Sequence, residues 1–305
     1  MHITLRCNRK CAWCYQIHDE FYDCHAGDMQ VDAFERILFS LKNYSRLRPH
    51  IHLFGGEPLC HPDFAEFIRI AKIYNFSPTI TTNGDYLDKY LGAIENSSIS
   101  QINISLNRRF HISLEETYNS LVPAVIFLRK QCRKIINFSF NLNPNEYYML
   151  EDVVVFFNKI FKKGLVSTFT CQHYMLNNIK PGMRMETRID PHIIKLQLQR
   201  LKNAKLNFKL LALPNILLAD LDRYYSSDFS FRNKCFVPWA GLSIYPDLEV
   251  TMGGGVLSCN KTIGNLNSES IKEIWHAYAL RKFRRHLLDY GLEEKCNRCC
   301  QKLYY

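Results

Sequence analysis

Two groups of cysteines carry the densest chemical signal in this sequence. Cys7, Cys11 and Cys14 stand in the run Cys7-Asn-Arg-Lys-Cys11-Ala-Trp-Cys14, directly after an extended stretch at His2–Leu5. Thiols at short fixed spacings in a chain without a disulfide framework point to metal or redox chemistry. An iron–sulfur cube is held by thiolates, normally four, so three closely spaced ones leave one iron open to a ligand from outside the protein. The competing reading is a zinc ion with Cys24 or His25 as fourth ligand. A wider set, Cys235, Cys259, Cys296 and Cys299, ends in a C-x2-C pair and suits ligands given by a hairpin and a returning tail. That set could hold a second cluster or a structural zinc, and Cys300 could replace Cys299. Cys24, Cys60, Cys132 and Cys171 read as small packed side chains.

The elements that must position these thiols follow from periodicity. Extended runs alternate with amphipathic segments over the first 175 residues, as βα units around a parallel sheet do. The candidate strands are His2–Leu5, His50–Phe54, Ser77–Thr82, Ile99–Leu106, Ile135–Leu142 and Leu165–His173. Helical spacing joins Val31, Phe34, Ile37, Leu38 and Leu41, then Leu121, Val125 and Leu128, then Val154, Phe157 and Phe161. Six such units predict an α/β fold, an incomplete (β/α)6 version of the TIM-type barrel. The first cysteine run then lies at the end of the first strand, where barrel active sites gather.

Two strands say more about the barrel interior. Asn103, Ser105 and Asn107 alternate with Ile102, Ile104 and Leu106, and Asn137, Ser139, Asn141 and Asn143 alternate with Ile136, Phe138, Phe140 and Leu142. Successive strand side chains point to opposite faces, so helices must cover the apolar face and the polar face should line an open lumen for a polar ligand. Asn141 and Asn143 read equally well as turn chemistry leading into Pro144-Asn145. Residues 176–232 read as a bridging region with one helix near Ile193–Leu201. A small unit over 233–305 opens with a hairpin, Leu242–Ile244 and Glu249–Thr251 around Pro246-Asp247, followed by Gly253-Gly254-Gly255 and a helix from Ser270 to about Leu288.

Bulk properties narrow the classes. The chain has 305 residues, 47% of them hydrophobic, twelve cysteines and a net charge of +10. No run approaches the ~18 apolar residues that a membrane span requires, and MHITLRCNRK turns polar too soon for a secretory signal, so the cytoplasm is the expected location. The basic residues are dispersed, and the densest cluster, Arg281 to Arg285, reads as the solvated face of a helix. Neither nucleic acid nor a membrane is therefore expected as a partner.

The C-x3-C-x2-C spacing with Trp13 before the last thiol resembles the radical S-adenosylmethionine (radical SAM) superfamily. Gly55-Gly56-Glu57-Pro58 after the second strand and Thr81-Thr82-Asn83-Gly84 at the end of the third are similar to that family's segments. The resemblance implies a [4Fe–4S] cluster on Cys7, Cys11 and Cys14, and S-adenosyl-L-methionine on its open iron. It further implies cofactor contacts from Trp13 (adenine), the Gly55–Pro58 backbone (amino group), Thr82 and Asn83, and Ser105 and Asn107 (ribose or carboxylate), with Asn141 as a lumen contact. Residues from Cys235 onward, with Ile263-Gly264-Asn265-Leu266 and Ile274-Trp275, resemble the auxiliary-cluster domains called SPASM and twitch. The set Cys235, Cys259, Cys296 and Cys299 would then hold one auxiliary [4Fe–4S] cluster; the usual Asp-Gly turn is here Asp247-Leu248, and Met252–Leu257 also departs from the pattern.

The implied activity is oxidoreductase-type radical chemistry, with a reducing partner such as flavodoxin or ferredoxin. Maturation of a ribosomally made peptide is the leading expectation, because single-chain enzymes of this layout often act on peptides and the positive charge suits an acidic precursor. A start only six residues before Cys7 leaves no room for an N-terminal peptide-recognition domain and argues for the alternative, a small molecule such as a sugar, aminoglycoside or nucleoside. A non-catalytic iron–sulfur or zinc scaffold is the alternative of another class. On a lumen-facing phase Cys171 could donate hydrogen to a substrate radical, while His173 reads as a hydrogen-bonded wall residue.

Overall fold

The computed structural model describes residues 1–11, 13–14, 16, 27–44, 48–108, 113–173, 189–213, 215–225, 235–252 and 262–292. Strands β1 (His2–Thr4), β2 (His52–Gly55), β3 (Thr79–Thr82), β4 (Gln101–Ser105), β5 (Ile135–Leu142), β6 (Thr168–His173) and β7 (Lys209–Leu213) form one sheet in consecutive order. Every neighbouring pair is parallel. The crossovers carry α1 (Val31–Tyr44), α2 (Phe64–Ile73), α3 (Leu87–Glu95), α4 (Leu114–Tyr118), α5 (Leu121–Lys130), α6 (Leu150–Ile160) and α7 (Pro191–Asn203). After β7 comes α8 (Leu221–Tyr225). Helices neighbour helices in chain order, α1 on α2, α2 on α3, α3 on α5, α6 on α7 and α7 on α8. One face of the sheet is thereby covered, as in a singly wound barrel.

The alternation read from the sequence decides which face that is. Ile102, Ile104, Phe138, Phe140 and Phe169 are at most 1% exposed and lie in the helix-covered core, each burial stabilising by about 1.5–3 kcal/mol. Gln101, Asn103, Ser105, Asn137, Ser139 and Asn141 are half-buried on the other face, the lumen wall. Local chemistry sets the helix starts. Ser113 and Glu116 form a capping box at α4, and Asp190 accepts from the His192 N–H (2.9 Å) ahead of Pro191 at the start of α7.

The sheet is one strand wider than expected, seven rather than six. β7 pairs with β6 through Thr170↔Leu211 and Gln172↔Leu213, so the sheet reaches past residue 175 to Leu213. The run Leu210–Leu213 lacks the polar–apolar alternation that marks β4 and β5, because Leu211 and Leu213 occupy register positions that are polar on β5 and β6.

The C-terminal unit contains α9 (Val237–Ala240), β8 (Leu242–Ile244), β9 (Glu249–Met252), β10 (Thr262–Asn265), α10 (Ile271–Trp275) and α11 (Tyr278–Asp289). The expected hairpin forms, and β10 extends it to three antiparallel strands. At the turn Leu248 takes φ +68°, where the family's glycine would sit without strain, and its side chain is 5% exposed in the core. The single helix expected from Ser270 to about Leu288 is two helices. Ser270 caps α10 through a box with Glu273, and extended backbone at Ala277 restarts the chain as α11. This unit shares the core of the barrel: α10 packs on α1, and the Tyr245 ring stacks on His2 of β1 at 4.3 Å.

Candidate active site

The Cys7–Cys14 loop leaves β1 and is anchored by backbone pairing to the segment after β2. The Gly56 N–H donates to the Thr4 carbonyl (2.9 Å) and the Glu57 N–H to the Arg6 carbonyl (2.7 Å). A Cβ at Gly55 would be driven into the Thr4 carbonyl oxygen, and one at Gly56 into the Arg6 carbonyl oxygen. Gly55 also has φ +145°. Both glycines are therefore demanded by the strand beside them, which adds a reason for them to the ligand approach expected from the family. Cys7 is exposed, whereas Cys11, Trp13 and Cys14 are half-buried. Trp13 packs against the core, and the Cys14 N–H donates to the Cys11 carbonyl (3.0 Å), closing a tight turn between two thiols.

Beneath the loop several residues expected as cofactor contacts have their side chains engaged within the protein. Glu57 is 1% exposed and accepts from the Thr82 hydroxyl (2.7 Å), the Asn83 N–H (2.6 Å) and the Leu59 N–H (3.1 Å). Burial pushes its carboxyl pKa up against those donors. Pro58 is buried and opens the short turn Pro58–Cys60. The Thr82 hydroxyl also accepts from the Gly84 N–H (3.0 Å). Asn107, 4% exposed, exchanges hydrogen bonds with the Asn141 backbone (2.8 and 2.6 Å) and donates to Glu146 Oε2 (2.8 Å). Glu57, Thr82 and Asn107 thus hold the loops in place rather than presenting side chains to a ligand. Asn143, fully buried, donates to Glu146 (2.6 Å) and accepts from the Asn145 N–H (3.0 Å), so the turn reading applies to it and the lumen reading does not.

Sequence reasoning missed the clasp that joins these loops. The Arg9 guanidinium grips the Asp85 carboxylate through two bonds (2.7 and 2.5 Å) and donates to the Asn107 carbonyl (2.8 Å). Asn8 donates to Asp85 (2.8 Å) and accepts from Asn83 (2.8 Å). Arg108 lies 3.6 Å from Asp85 and stacks over Tyr118 at 5.0 Å. Burial alone would raise the Asp85 pKa, but the hydrogen bonds and charge of Arg9 override it and hold the carboxyl below its usual range. A charged residue within the cysteine run and another after Asn83-Gly84 were the available signal.

The lumen wall has two levels. Low in the sheet, His52 and Thr81 share a hydrogen bond (2.7 Å), Asn137 donates to Asn103 (3.1 Å), and Thr168 donates to Asn137 (2.8 Å). Gln101 also donates to Asn103 (2.9 Å), and Asn103 to Thr81 (3.4 Å), which completes a belt across β2 to β6. Burial lowers the His52 pKa to about 3, so its ring is neutral in the fold. Above the belt stand Ser105, Ser139 and Thr170 in one register row and Asn141 and Gln172 in the next. All are half-buried, and Asn141 Oδ1 is buried without a hydrogen-bond partner. These rows end on β7 at Leu211 and Leu213, half-buried like them.

Cys171 does not face this lumen. It alternates with Thr170 and Gln172, is fully buried beside Phe169 on the helix-covered face, and burial pushes its thiol pKa up strongly. It therefore cannot reach a substrate in the lumen as a hydrogen donor. His173 shares that face, bonded to the Tyr225 hydroxyl (2.8 Å), and burial lowers its pKa to about 4.

The donor set fits a cluster. A zinc ion would gather all its sulfurs around one centre. A cube instead takes each thiolate on a separate iron. The surrounding loop desolvates Cys7 enough to raise its thiol pKa despite its exposure, so the charge of bound iron would be what keeps it a thiolate. Cys24 and His25, and the auxiliary-cluster candidates Cys259, Cys296, Cys299 and Cys300 with Gly253–Gly255, lie outside the described residues. Cys235 is half-buried at the start of α9.

A parallel barrel with an open polar lumen and a three-thiol loop on its first strand defines an α/β enzyme of the cluster-binding kind. Residues 1–143 match the Radical SAM superfamily and residues 235–300 match SPASM, an iron-sulfur cluster-binding domain; the chain thus carries a radical SAM domain followed by an auxiliary iron–sulfur domain. These domains imply a [4Fe–4S] cluster with S-adenosylmethionine and an auxiliary cluster. Among curated relatives, the tungsten-containing aldehyde ferredoxin oxidoreductase cofactor-modifying protein of Pyrococcus furiosus is 32% identical over 110 residues, 35% of this chain and 30% of that protein. GTP 3',8-cyclase of Chlorobaculum tepidum is 35% identical over 108 residues, 34% of this chain and 31% of that one. The matches thus span about a third of these relatives' length. Among solved structures, SuiB of Streptococcus suis aligns with 97% of this chain and 71% of its own at TM-score 0.67 and 15% identity. The anSMEcpe structure with bound AdoMet aligns with 98% of this chain and 86% of its own at TM-score 0.64 and 15% identity. Among the described residues no helix is long and apolar enough to cross a membrane.

Proposed function

We propose that this chain cleaves S-adenosylmethionine reductively and uses the resulting radical to oxidise or crosslink a side chain of a ribosomally made peptide. When bound, the cluster supplies the electron that splits the cofactor into methionine and a 5′-deoxyadenosyl radical, which takes a hydrogen atom from the substrate. Cys7, Cys11 and Cys14 would hold that cluster, and Cys235, Cys259, Cys296 and Cys299 an auxiliary one. On this reading Trp13, the Gly55-Gly56 backbone, Asn83, Ser105 and Asn141 would contact the cofactor. The hydrogen-bonded loops beneath them would help hold the reacting groups at near-contact distance, as radical transfer demands. An acidic one-electron carrier such as flavodoxin or ferredoxin would suit the net charge of +10 as reductant.

The observation that carries the peptide reading is the composition of the upper lumen wall. Hydroxyls and amides from Ser139, Thr170, Gln172 and Asn141 give way on β7 to Leu211 and Leu213. Leu210, on the opposite face of β7, packs against the core, whereas among the described residues Leu211 and Leu213 do not join it. A wall that is polar on one side and aliphatic on the other matches a peptide, which offers backbone amides beside an apolar side chain, better than a sugar, which carries hydroxyls round its whole rim. SuiB has been seen with its precursor peptide SuiA, which is compatible with this occupant. The identity to GTP 3',8-cyclase favours the second reading, a nucleoside or another polar small molecule.

Anaerobically reconstituted protein with dithionite and S-adenosylmethionine should release 5′-deoxyadenosine, and Cys11→Ala should abolish the release. Failure of cluster-loaded protein to cleave the cofactor would leave a non-catalytic scaffold. A peptide encoded beside the gene should lose hydrogen atoms on incubation; turnover of GTP instead would select the second reading.

A further inference from the structure

We propose that the Arg9–Asp85 pair is a positioning clasp that fixes the cluster loop and sets the reduction potential of the cluster the loop holds. The pair has the strongest geometry in the site: two parallel N–H···O bonds of 2.7 and 2.5 Å between side chains only 18% and 25% exposed. Its reach exceeds one loop. The same guanidinium donates to the Asn107 carbonyl after β4 (2.8 Å) and to the Asn83 carbonyl after β3 (3.4 Å).

Asp85 is itself placed by the turn before it. Gly84 adopts φ +84°, and the Asp85 N–H donates to Asn83 Oδ1 (2.9 Å). Asn8 closes the set by donating to Asp85 while accepting from Asn83 (both 2.8 Å). Three loops at the mouth of the barrel are thus tied to one side chain that lies two residues from both Cys7 and Cys11.

Position and charge act together here. Arg9 brings a full positive charge into the loop, and Asp85 cancels most of it at contact distance. Cluster potentials follow the net charge and hydrogen bonding around the cube. Neutralising Asp85 leaves an uncompensated cation beside the thiolates, which stabilises the more negative, reduced cluster. Neutralising Arg9 leaves Asp85 facing only Arg108 at 3.6 Å and removes one positive charge from beside the thiolates, which does the reverse. A pair that served packing alone would give no such opposition of sign.

The test is a redox titration of the reconstituted full chain, followed by the electron paramagnetic resonance of the reduced loop cluster, with chelator-driven iron release measured in parallel. Asp85→Asn should be reduced at a higher potential than the parent, Arg9→Gln at a lower one, and the double variant should return toward the parent. Arg9→Lys should keep the potential but release iron severalfold faster, because it retains the charge without the two-pronged grip. Arg69→Gln, which breaks an exposed ion pair with Glu66 on α2, should change neither. If Arg9→Gln retains no iron, Arg9→Lys and Asp85→Asn still decide. Shifts of the same sign in the two charge variants, or unchanged potential and iron release in Asp85→Asn and Arg9→Lys, would overturn the clasp. The proposal rests on the cluster assignment to Cys7, Cys11 and Cys14, and a parent protein that binds no cluster would overturn that assignment instead.

Discussion

The two levels of the lumen wall use the same residue types to opposite ends. Asn103, Asn137, Thr81 and Thr168 low in the sheet bond one another and His52. Ser139, Thr170 and Gln172 above them have no side-chain hydrogen bond among the described residues, and Asn141 Oδ1 is buried without a partner. Buried polar groups are satisfied in stable folds. The lower level therefore serves the fold, and the upper level keeps hydrogen-bonding capacity for something that arrives later. A polar strand face alone does not announce a binding site; the self-satisfied part must first be subtracted.

The sharpest way to break this comparison is to cut the belt at its centre. Asn103→Leu removes the acceptor of Gln101 and Asn137 and the donor to Thr81, and should cost about 3 kcal/mol in denaturant unfolding. A loss below about 0.5 kcal/mol would mean that the belt does not serve the fold.

Acid should expose the same level. The His52 pKa is about 3 in the fold, below its ordinary value, so the unfolded chain takes up the proton first. Its contribution is complete above about pH 6.5 and declines as pH falls toward 3, by up to about 1.4 kcal/mol per pH unit. His173, at about 4, adds a decline over a narrower window. Unfolding midpoints measured from pH 7.5 to 5 should fall less steeply for His52→Gln than for the parent, and equal slopes would remove His52 from the account.

Changes on the upper level should leave stability nearly untouched. Leu211→Ser should raise the KM for a peptide substrate about tenfold, the loss of a half-buried aliphatic contact on its wall. Ser139→Ala and Thr170→Val should each raise it about two- to tenfold, one hydrogen bond apiece, with unfolding shifted by less than about 0.5 kcal/mol. Stability losses of the size predicted for Asn103→Leu would erase the distinction between the levels.

Much of this was legible in the sequence where a physical rule acts locally. Ile135–Leu142 reads correctly as a strand to the residue, because strict alternation over eight positions admits little else. The cysteine run and Gly55-Gly56 could be read because chemistry and crowding constrain both. β7 was not legible, since a strand that turns leucines toward a lumen looks like any apolar run. Cys171 is a small packed side chain, as read, and only the alternative of a hydrogen donor in the lumen falls, since Thr168, Thr170 and Gln172 mark the polar face. The Arg9–Asp85 contact joins residues 76 positions apart, and no periodicity reports such a pairing. Glu57, Thr82 and Asn107 were legible as important but not as buried supports, because burial depends on what the neighbouring loops bring.

Strand β1 has a consequence out of proportion to its three residues. Its first side chain, His2, lies against Tyr245, which is fully buried, and its last, Thr4, opens the thiol loop and takes the Gly56 N–H. The two iron-binding parts of the chain are therefore linked through this short strand, beside the packing of α10 on α1. Cutting the protein at residue 234 would strip the cover from the strand on which the first half depends, so the barrel is not expected to survive as a minimal enzyme.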